Sequence, residues 1–380
     1  MSQSNRNSAT TLASLLTLVE RGYVPDVAIR AGIRRLCAAG LKTRGGVESL
    51  QRQCEEFRAA MAAGPIAVDT RAANEQHYEL PEAFFGLCLG PHRKYSGCYW
   101  PSGVSTLAEA EAASLRETCA HADLRDGQRI LELGCGWGSL TLWMAKHYPR
   151  SEIVAVSNSR PQREYIERQR QERGLKNVRI LTADMNEFAP PGTFDRVVSV
   201  EMFEHMRNWP ALLQRIQGWM NADGRLFVHV FVHGRAPYFF ETGDAAPDAV
   251  RGADRTTSAR AEARGSSSQD NPADWMGRYF FTGGIMPSDH LMAYCQEHLQ
   301  LEAHWRQDGT HYARTAEAWL RNLDSRRREA RAIFAPVYGE ADVDRWLRRW
   351  RVFFLACAEM FGFARGQEWW VSHYRLKRRP

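Results

Sequence analysis

The feature that most constrains the fold is the segment Arg129–Ser139, which reads Arg-Ile-Leu-Glu-Leu-Gly-Cys-Gly-Trp-Gly-Ser. A short apolar run, Ile130–Leu133, ends at Gly134, Gly136 and Gly138, and a helical pattern of apolar residues follows. This order predicts a buried strand, a tight glycine turn and the start of a helix, which together open a doubly wound α/β sheet. The glycines let the backbone turn sharply and approach a ligand that a Cβ atom would exclude.

The spacing of these glycines indicates the kind of ligand. A dinucleotide-binding turn has the pattern Gly-x-Gly-x-x-Gly and a carboxylate about 20 residues further on. Here the pattern is Gly-x-Gly-x-Gly, and the second predicted strand ends at 157–159 (Ser-Asn-Ser) with no carboxylate, which disfavours an NAD-dependent oxidoreductase. Glu132, directly before the turn, suits a charged ligand without phosphate groups. The motif Glu-Leu-Gly-x-Gly-x-Gly resembles the first motif of S-adenosylmethionine (SAM)-dependent methyltransferases. That resemblance implies that the loop holds the amino-acid end of SAM.

The composition is that of an ordinary globular protein. Of the 380 residues, 44% are hydrophobic and 25% charged, and the net charge is only +6. This length suffices for one large or two ordinary domains. Basic clusters at 326–328, 348–351 and 377–379 form no continuous stripe with interleaved aromatics, so we expect solvated helix faces and no nucleic-acid partner.

The eight cysteines are scattered, without a Cys-x-x-Cys motif, and no histidine pair has metal-ligand spacing. This pattern predicts reduced thiols and no metal site. No apolar run approaches the length of a membrane span, and the N-terminus lacks the layout of a signal peptide. We therefore expect a soluble, cytoplasmic protein.

Strands and helices alternate through the middle of the chain. The predicted strands are Ile130–Leu133, Glu152–Val156, Val178–Thr182, Arg196–Val200, Arg225–Val232, Leu301–Arg306 and Trp369–Leu376. The predicted helices that follow the glycine turn include 161–174, 212–220, 289–298, 315–338 and 342–363, and residues 221–224 are predicted as a turn. This alternation predicts a seven-stranded, mainly parallel, Rossmann-like sheet, whose ligands lie at the carboxyl ends of the strands.

The sequence divides into five segments. They are a helical N-terminal segment (1–73), a cap over cofactor and substrate (74–126), the SAM-binding α/β core (127–242), a flexible inserted loop (243–272) and a helical lid with the last strands (273–380). An amphipathic N-terminal segment can cover an active site, form a homodimer or touch a membrane. Simple packing against the core is the interpretation that needs the fewest assumptions.

Two groups of aromatic residues carry alternative interpretations. The cap is rich in aromatic side chains mixed with polar ones, and this composition fits either a pocket wall or a core. A strip with helical spacing near the C-terminus is typical of a core face; its members are Trp346, Trp350, Phe353, Phe354, Cys357 and Phe361.

Ionisable side chains cluster where the fourth predicted strand ends. Glu201, Glu204 and His205 follow this strand at positions i, i+3 and i+4, so a helical turn would place them on one face. Two carboxylates and an imidazole beside a cofactor could attract a cation and accept a proton. The alternative is a cluster that only caps a helix, but its place at a strand end favours a functional site.

Several further motifs carry a more specific resemblance. They are Tyr95-Ser96, Glu132–Ser139, Ser157–Ser159 with Gln162, Asp184-Met185, Glu201–His205, Phe280–Gly284 and Gly309–Tyr312. Together they resemble the cyclopropane-fatty-acid-synthase-like family of SAM enzymes, and within it the coclaurine-type N-methyltransferases. The resemblance runs from about residue 75 to the C-terminus, apart from the inserted loop.

The resemblance implies a role for individual residues. It implies that SAM is contacted by Tyr95, Ser96, Gly134, Gly136, Asn158, Gln162, Asp184 and Met185, with Asp184 on the adenine amino group. It also implies that Glu201, Glu204 and His205 face the methyl acceptor, with Glu79 as a further candidate. Cyclopropane synthases hold a bicarbonate as base, and three of its four ligands match Glu204, His229 and Tyr312. The fourth, a cysteine, falls on Gly97, with Cys98 one place away.

Three hypotheses follow. The first is a SAM-dependent N-methyltransferase acting on a small secondary or tertiary, alkaloid-like amine. An aromatic wall would hold the cation, and its expected members are Tyr78, Phe84, Phe85, Tyr99, Trp100, Phe203, Phe231, Phe280 and Phe281. The second is a cyclopropane synthase that methylenates an acyl chain and needs membrane access. The third is a catalytically silent SAM-binding partner protein.

Overall fold

A seven-stranded sheet organises the chain, as seen in a computed structural model that describes residues 15–42, 49–68, 80–240 and 272–379. The strands are β1 (Arg129–Leu133), β2 (Glu152–Ser157), β3 (Val178–Thr182), β4 (Phe194–Val200), β5 (Met220–His233), β6 (Tyr238–Phe239), β7 (Ile285–Met286), β8 (Leu299–Gln307) and β9 (Trp369–Arg378). Their order in the main sheet is β3-β2-β1-β4-β5-β9-β8, and β6 pairs with β7 separately. Strands β1 to β5 run parallel, and β9 is antiparallel to both of its neighbours. The predicted doubly wound fold is confirmed.

Helices cover both faces of this sheet. They are α1 (Asp26–Lys42), α2 (Leu50–Ala62), α3 (Glu82–Cys88), α4 (Leu107–His121), α5 (Ser139–His147), α6 (Arg160–Glu172), α7 (Trp209–Trp219), α8 (Pro272–Tyr279), α9 (Gly309–Ser325), α10 (Arg327–Tyr338) and α11 (Val343–Gly362). Apolar side chains of α4, α5, α6, α9 and α11 form one buried core. Those of α2 and α7 pack with the other sheet face in a second core. Strands buried on both faces explain the continuous apolar runs of the sequence.

The strand order reverses between β1 and β4. Leu133 of β1 pairs with Val156 of β2 on one side and with Ser199 of β4 on the other, so three carboxyl ends meet at one point. The connections leave this point in opposite directions, which opens a crevice where ligands of such sheets bind.

The predicted helix over 289–298 is wrong. The described chain has only a short 3-10 turn at Leu291–Tyr294. Asp289 is buried, and its carboxylate accepts hydrogen bonds from Ser372 (2.6 Å), Trp370 (3.0 Å) and His304 (3.1 Å). These bonds to β8 and β9 fix the segment, and no local pattern in the sequence reveals them.

Two other predictions need correction. The single helix predicted over 315–338 is two helices, α9 and α10, which meet at Arg326 with a φ of −119°. The predicted turn over 221–224 belongs to β5, which begins at Met220 because that residue pairs with Phe194 across an irregularity in the ladder.

Helix α1 lies against the lid through charged side chains and through partly buried apolar ones such as Ile29 and Ile33. None of its residues is buried, but Arg30 pairs with Glu317 and Glu359, and Asp26 pairs with Arg351. The inserted loop predicted at 243–272 lies outside the described residues except for Pro272, which begins α8. Among the helices that the structure describes, none combines the length and apolarity that a bilayer span requires. The five-segment division stays a prediction.

Candidate active site

A first cavity lies at the crevice between β1 and β4. The glycine turn forms its floor: Gly134 has a φ of 77° and Gly136 a φ of 51°, and the backbone N–H of Gly134 donates to Val156 (3.0 Å). A Cβ atom on Gly136 would point into open space, so the backbone is bare where a ligand can approach. The backbone conformation is thus the tight turn that the sequence predicts, and the contact of its glycines with the cofactor stays a prediction.

Eight of the ten predicted cofactor residues line this cavity. They are Tyr95, Ser96, Glu132, Gly134, Gly136, Asn158, Gln162 and Met185. Gly138 does not; it precedes α5 with a φ of 75°, and a Cβ there would lie 2.6 Å from Ile166. It therefore allows close helix packing. Asp184 is half-buried outside the lining, and its carboxylate accepts from the backbone N–H of Asn186 (2.8 Å).

Polar atoms in the cavity fit a charged ligand. The Nε2 of Gln162 and the Oγ of Ser139 are buried and lack a hydrogen-bond partner within the described chain. Glu132 is buried beside them and accepts from Thr141 (2.5 Å); burial raises the pKa of its carboxyl to about 8. Unsatisfied buried groups are costly unless a ligand pairs with them, and SAM carries an ammonium, hydroxyls and an adenine that could. The residues present therefore fit SAM.

A second cavity shares a wall with the first. Tyr95, Glu201 and His205 line both. The remainder of the second cavity is aromatic and apolar, apart from one carboxyl group; it is lined by Glu204, Phe231, Phe240, Met276, Phe281, Met286, Tyr312, Trp319, Phe353, Cys357, Met360 and Phe361. A molecule in this cavity can therefore face a cofactor in the first.

Glu201 is held rigidly between the two cavities. It follows β4 directly with a φ of 46°, and its N–H donates to the carbonyl of His229 (2.8 Å). Its carboxylate accepts from the backbone N–H of Gly97 (2.8 Å) and the hydroxyl of Tyr312 (2.8 Å), and also from Nε2 of His229 (3.3 Å) when that nitrogen carries the ring proton. Burial raises the pKa of this carboxyl, while nearby Lys94 and the donors favour its ionised form.

Glu204 differs because both of its carboxyl oxygens are buried without a hydrogen-bond partner among the described residues. Burial, followed by the charge of Glu201, raises its pKa well above the usual range. Two neighbouring carboxyls with different environments differ in proton affinity, so the charge and the proton of the pair can be divided between them.

His205 is a neutral ring in the shared wall. It stacks on Phe281, with ring centres 5.3 Å apart and planes within 7°, and burial lowers its pKa to about 4. Glu201, Glu204 and His205 do not lie on one face of a helical turn, as the sequence suggested. The turn is a 3-10 helix of three residues, Phe203–His205, and Glu201 precedes it with positive φ. All three side chains nevertheless line the second cavity.

The aromatic wall is only partly the one predicted. Phe231 and Phe281 line the second cavity, whereas the other described members do not. Instead, Phe84 and Phe280 pack on Trp350 in the core. Tyr78, like Glu79, lies outside the described residues. Part of the C-terminal strip, predicted as a core face, faces the cavity through Phe353, Cys357 and Phe361, whose i, i+4, i+8 spacing could have indicated a common surface.

The departure at Gly97 has a steric reason. A Cβ there would lie 2.8 Å from the ring of Tyr312, so a cysteine would require this ring to move. Cys98 is buried, its thiol faces the carbonyl of Ser96 (3.7 Å), and burial raises its pKa to about 12. His229 and Tyr312, implied as bicarbonate ligands, contact Glu201 instead.

Lys94 is a site residue that the sequence analysis missed. It is 2% exposed, lines the first cavity, and its ammonium donates to the Oγ of Ser96 and the carbonyl of Gly97 (both 2.5 Å). It stands directly before the Tyr95-Ser96 motif, and only that adjacency could have pointed to it.

A glycine turn at the reversal point of this sheet, joined to an acidic aromatic chamber, defines a SAM-dependent methyltransferase. The family model described as mycolic acid cyclopropane synthetase matches residues 68–367, and the chain belongs to that family. It is 34% identical to an (S)-coclaurine N-methyltransferase of Thalictrum flavum subsp. glaucum, over 97% of this chain and 96% of the relative. It is 28% identical to the cyclopropane-fatty-acyl-phospholipid synthase of Escherichia coli K12, over 79% and 67% respectively.

A solved structure agrees with this assignment. The crystal structure of a coclaurine N-methyltransferase bound to N-methylheliamine and SAH matches with a TM-score of 0.87 and 32% identity, covering 97% of this chain and all of that one. The predicted family, enzyme class and SAM cofactor are confirmed.

Proposed function

We propose that the protein transfers the methyl group of SAM to the nitrogen of a small secondary or tertiary amine on an aromatic, alkaloid-like framework. The observation that carries this proposal is the pair Glu201 and Glu204 in an aromatic chamber that shares a wall with the cofactor cavity. A carboxylate pair suits a cationic nitrogen, and rings such as Phe281 and Phe361 suit a flat cation by stacking and cation–π contact.

Glu201, Glu204 and His205 have different roles in the proposed reaction. SAM, when bound, supplies an electrophilic methyl group on a positively charged sulfur. Glu201, fixed by three donors, attracts the ammonium form of the amine and keeps it at the shared wall. Glu204, in its carboxylate form, takes the proton from that ammonium, because its oxygens are unpartnered within the described chain and its raised pKa gives the carboxylate a high proton affinity. His205 packs on Phe281 and limits where the nitrogen can lie.

The alternative is cyclopropanation of an unsaturated acyl chain. Kinship with the bacterial synthase supports it. Against it, His229 and Tyr312 already contact the Glu201 carboxylate, and a cysteine in place of Gly97 would collide with the Tyr312 ring in its present position. The amine hypothesis is therefore the better supported one.

An assay with radiolabelled SAM separates the two reactions. The purified protein is given simple tetrahydroisoquinolines in one arm and vesicles of mono-unsaturated phospholipid in the other. We expect label in the amine, and none in lipid, with Glu204→Gln as the inactive control. Label entering only the lipid would overturn the proposal.

The predicted homodimer and cytoplasmic location remain proposals. Light scattering on the full chain at micromolar concentration gives the mass in solution, and twice 43.3 kDa is the value expected for the dimer.

A further inference from the structure

Three histidines extend from Glu201 across the sheet. Nε2 of His229 lies 3.3 Å from Glu201, and Nδ1 of His229 lies 2.8 Å from Nε2 of His373. Nδ1 of His373 then lies 2.8 Å from Nδ1 of His121. Each ring is therefore connected to the next, and the proposed reaction uses only the first.

The fold places these rings side by side for simple reasons. His229 on β5 and His373 on β9 are directly opposite each other in an antiparallel pair, so their side chains share a face. His121 ends α4 above that face and stacks on Trp305, with ring centres 4.0 Å apart. His229 and His373 are each 1% exposed, whereas His121 is half-buried. The chain thus runs from the enclosed chamber to a site that water can reach.

The rings are electrically suited to pass protons. Burial lowers the pKa of His229 and His373 well below the usual range and that of His121 to about 4, so all three are neutral. A neutral imidazole has one N–H donor and one acceptor nitrogen. The chain can therefore exist with every N–H directed toward Glu201 or every N–H directed away from it, and no nitrogen inside it is left unpaired in either form.

We propose that His229, His373 and His121 conduct a proton between the Glu201 carboxyl and the outer side of the sheet when a cationic amine enters or leaves the chamber. This inference rests on the proposed function. In the empty chamber, on this proposal, Glu201 is protonated, its O–H faces Nε2 of His229, and every N–H of the chain is directed away from it. On entry of the cation, that O–H bond breaks and the proton binds Nε2 of His229. The Nδ1 proton of His229 moves to Nε2 of His373. The Nδ1 proton of His373 moves to Nδ1 of His121, whose Nε2 proton passes to water. The same transfers in reverse recharge Glu201 when the product departs.

A metal site on the same residues fits the geometry less well. Ligand atoms of Glu117, His121 and His373 lie within 4.8 Å of one another. However, two nitrogens in the tetrahedral shell of one zinc ion lie about 3.3 Å apart, given Zn–N bonds of about 2.0–2.1 Å. The observed 2.8 Å between the two Nδ1 atoms is a hydrogen bond.

The test uses a cation that has no proton of its own. N,N-dimethyltetrahydroisoquinolinium is mixed in a stopped-flow instrument with protein saturated with SAH, so that no methyl transfer occurs, and an indicator dye follows proton release. We expect rapid release from the wild-type protein and a rate lower by about tenfold or more in His373→Phe, with the same number of protons at equilibrium. Equal rates would overturn the proposal.

Two further variants exclude a merely structural effect. His121→Ala, at the half-buried end, should slow release, and imidazole but not the non-basic pyrrole should restore it; a failure of imidazole to restore the rate would overturn the relay. His304→Gln is the control, because His304 bonds to Asp289 instead of the chain, and its rate should equal that of the wild type. EDTA should leave every rate unchanged, and a rate that depends on metal would instead assign the cluster to a metal ion.

Failure of the proposed function would look different. If the wild-type protein does not bind the quaternary ion in calorimetry and methylates no amine, the proposed function is wrong. The relay is then decided by proton NMR of the resting protein. Strongly deshielded imidazole N–H resonances that disappear in His373→Phe support it, and their absence from the wild-type spectrum overturns it.

Discussion

The buried carboxyl of Glu132 links cofactor binding to the stability of the protein without cofactor. Its folded-state pKa is about 8, against an ordinary value of 4.5, because it is buried. Between these values the folded protein binds a proton that the unfolded chain does not, so the free energy of unfolding falls as pH rises. Each pKa unit is worth ~1.4 kcal/mol.

We therefore expect Glu132→Gln to stabilise the protein without SAM at alkaline pH. In urea unfolding, the wild type and the variant should have similar free energies of unfolding near pH 5. At pH 8 the variant should be more stable by on the order of 2–4 kcal/mol. Calorimetry should show weaker SAM binding by the variant. The control is Glu187→Gln, at an exposed position, whose free energy of unfolding should fall with pH as steeply as that of the wild type. If the stability of Glu132→Gln falls just as steeply, Glu132 is not the cause of the pH dependence.

Glu204 gives a second residue-scale prediction. Glu204→Gln keeps the size of the side chain but cannot take up a proton, so kcat for an amine should fall about 10²–10⁴-fold. Glu204 does not line the first cavity, so the dissociation constant for SAH should stay within about twofold. A variant that loses SAH binding and kcat together would show that Glu204 has a structural role.

The sequence predicts which residues come together at the acceptor chamber better than it predicts their backbone conformation. Glu201, Glu204 and His205 are found from their place after a strand, because parallel strands bring their carboxyl ends together. The positive φ of Glu201 and the short 3-10 turn depend on tertiary hydrogen bonds and could not be predicted. His373 lies 252 positions from His121, and no local pattern connects them.

Helix α11 sets the shape of the acceptor chamber. Phe361 stacks on Tyr312, with ring centres 4.0 Å apart, and lines the second cavity. A similar contact between Phe361 and the ring of a bound amine would be worth about 0.5–1.5 kcal/mol. Phe361→Leu should therefore raise KM for an aromatic amine about three- to tenfold and leave SAH binding unchanged.

A control on the same helix makes this prediction specific. Trp346 stacks on Tyr338 and does not line the cavity, so Trp346→Leu should leave KM near the wild-type value. If both substitutions raise KM equally, the effect comes from the helix as a whole and the cavity assignment of Phe361 is wrong.

At this scale the accuracy of sequence-based prediction depends on the element. Strands β1 and β2 begin and end within a residue of their predictions because their apolar runs are buried inside the sheet. Strand β3, at the sheet edge, matches its prediction because buried Val178 and Ile180 alternate with exposed Arg179. The wrong helix over 289–298 has an equally physical reason. Its first residue, Asp289, accepts hydrogen bonds from Ser372 and Trp370 of β9. Such distant partners outweigh local helix propensity.

At the scale of the whole molecule, the sheet determines the cofactor site and the lid determines the acceptor site. The glycine turn is local in sequence, and its ligand was predicted from a few adjacent residues. Besides Tyr95, the chamber combines the turn after β4 with β5, α9 and α11, and these lining residues run from Glu201 to Phe361, 160 positions along the chain. Its lining could therefore be predicted only in part, through Phe231, Phe281 and the residues that follow β4.

Ligand binding should therefore stabilise the entire sheet. A ligand that binds only the folded state adds about 2.7 kcal/mol to the free energy of unfolding at one hundred times its dissociation constant. We expect SAH at that concentration to shift the urea midpoint accordingly, and NADH at the same concentration to leave it unchanged. Gly136→Val places a branched side chain where a Cβ points into the open cavity, at a φ of 51°. This variant should lose the shift produced by SAH. Gly218→Ala, with no atom near the added Cβ, should retain it. A shift with NADH, or an undiminished SAH shift in Gly136→Val, would mean that the glycine turn does not form the cofactor site.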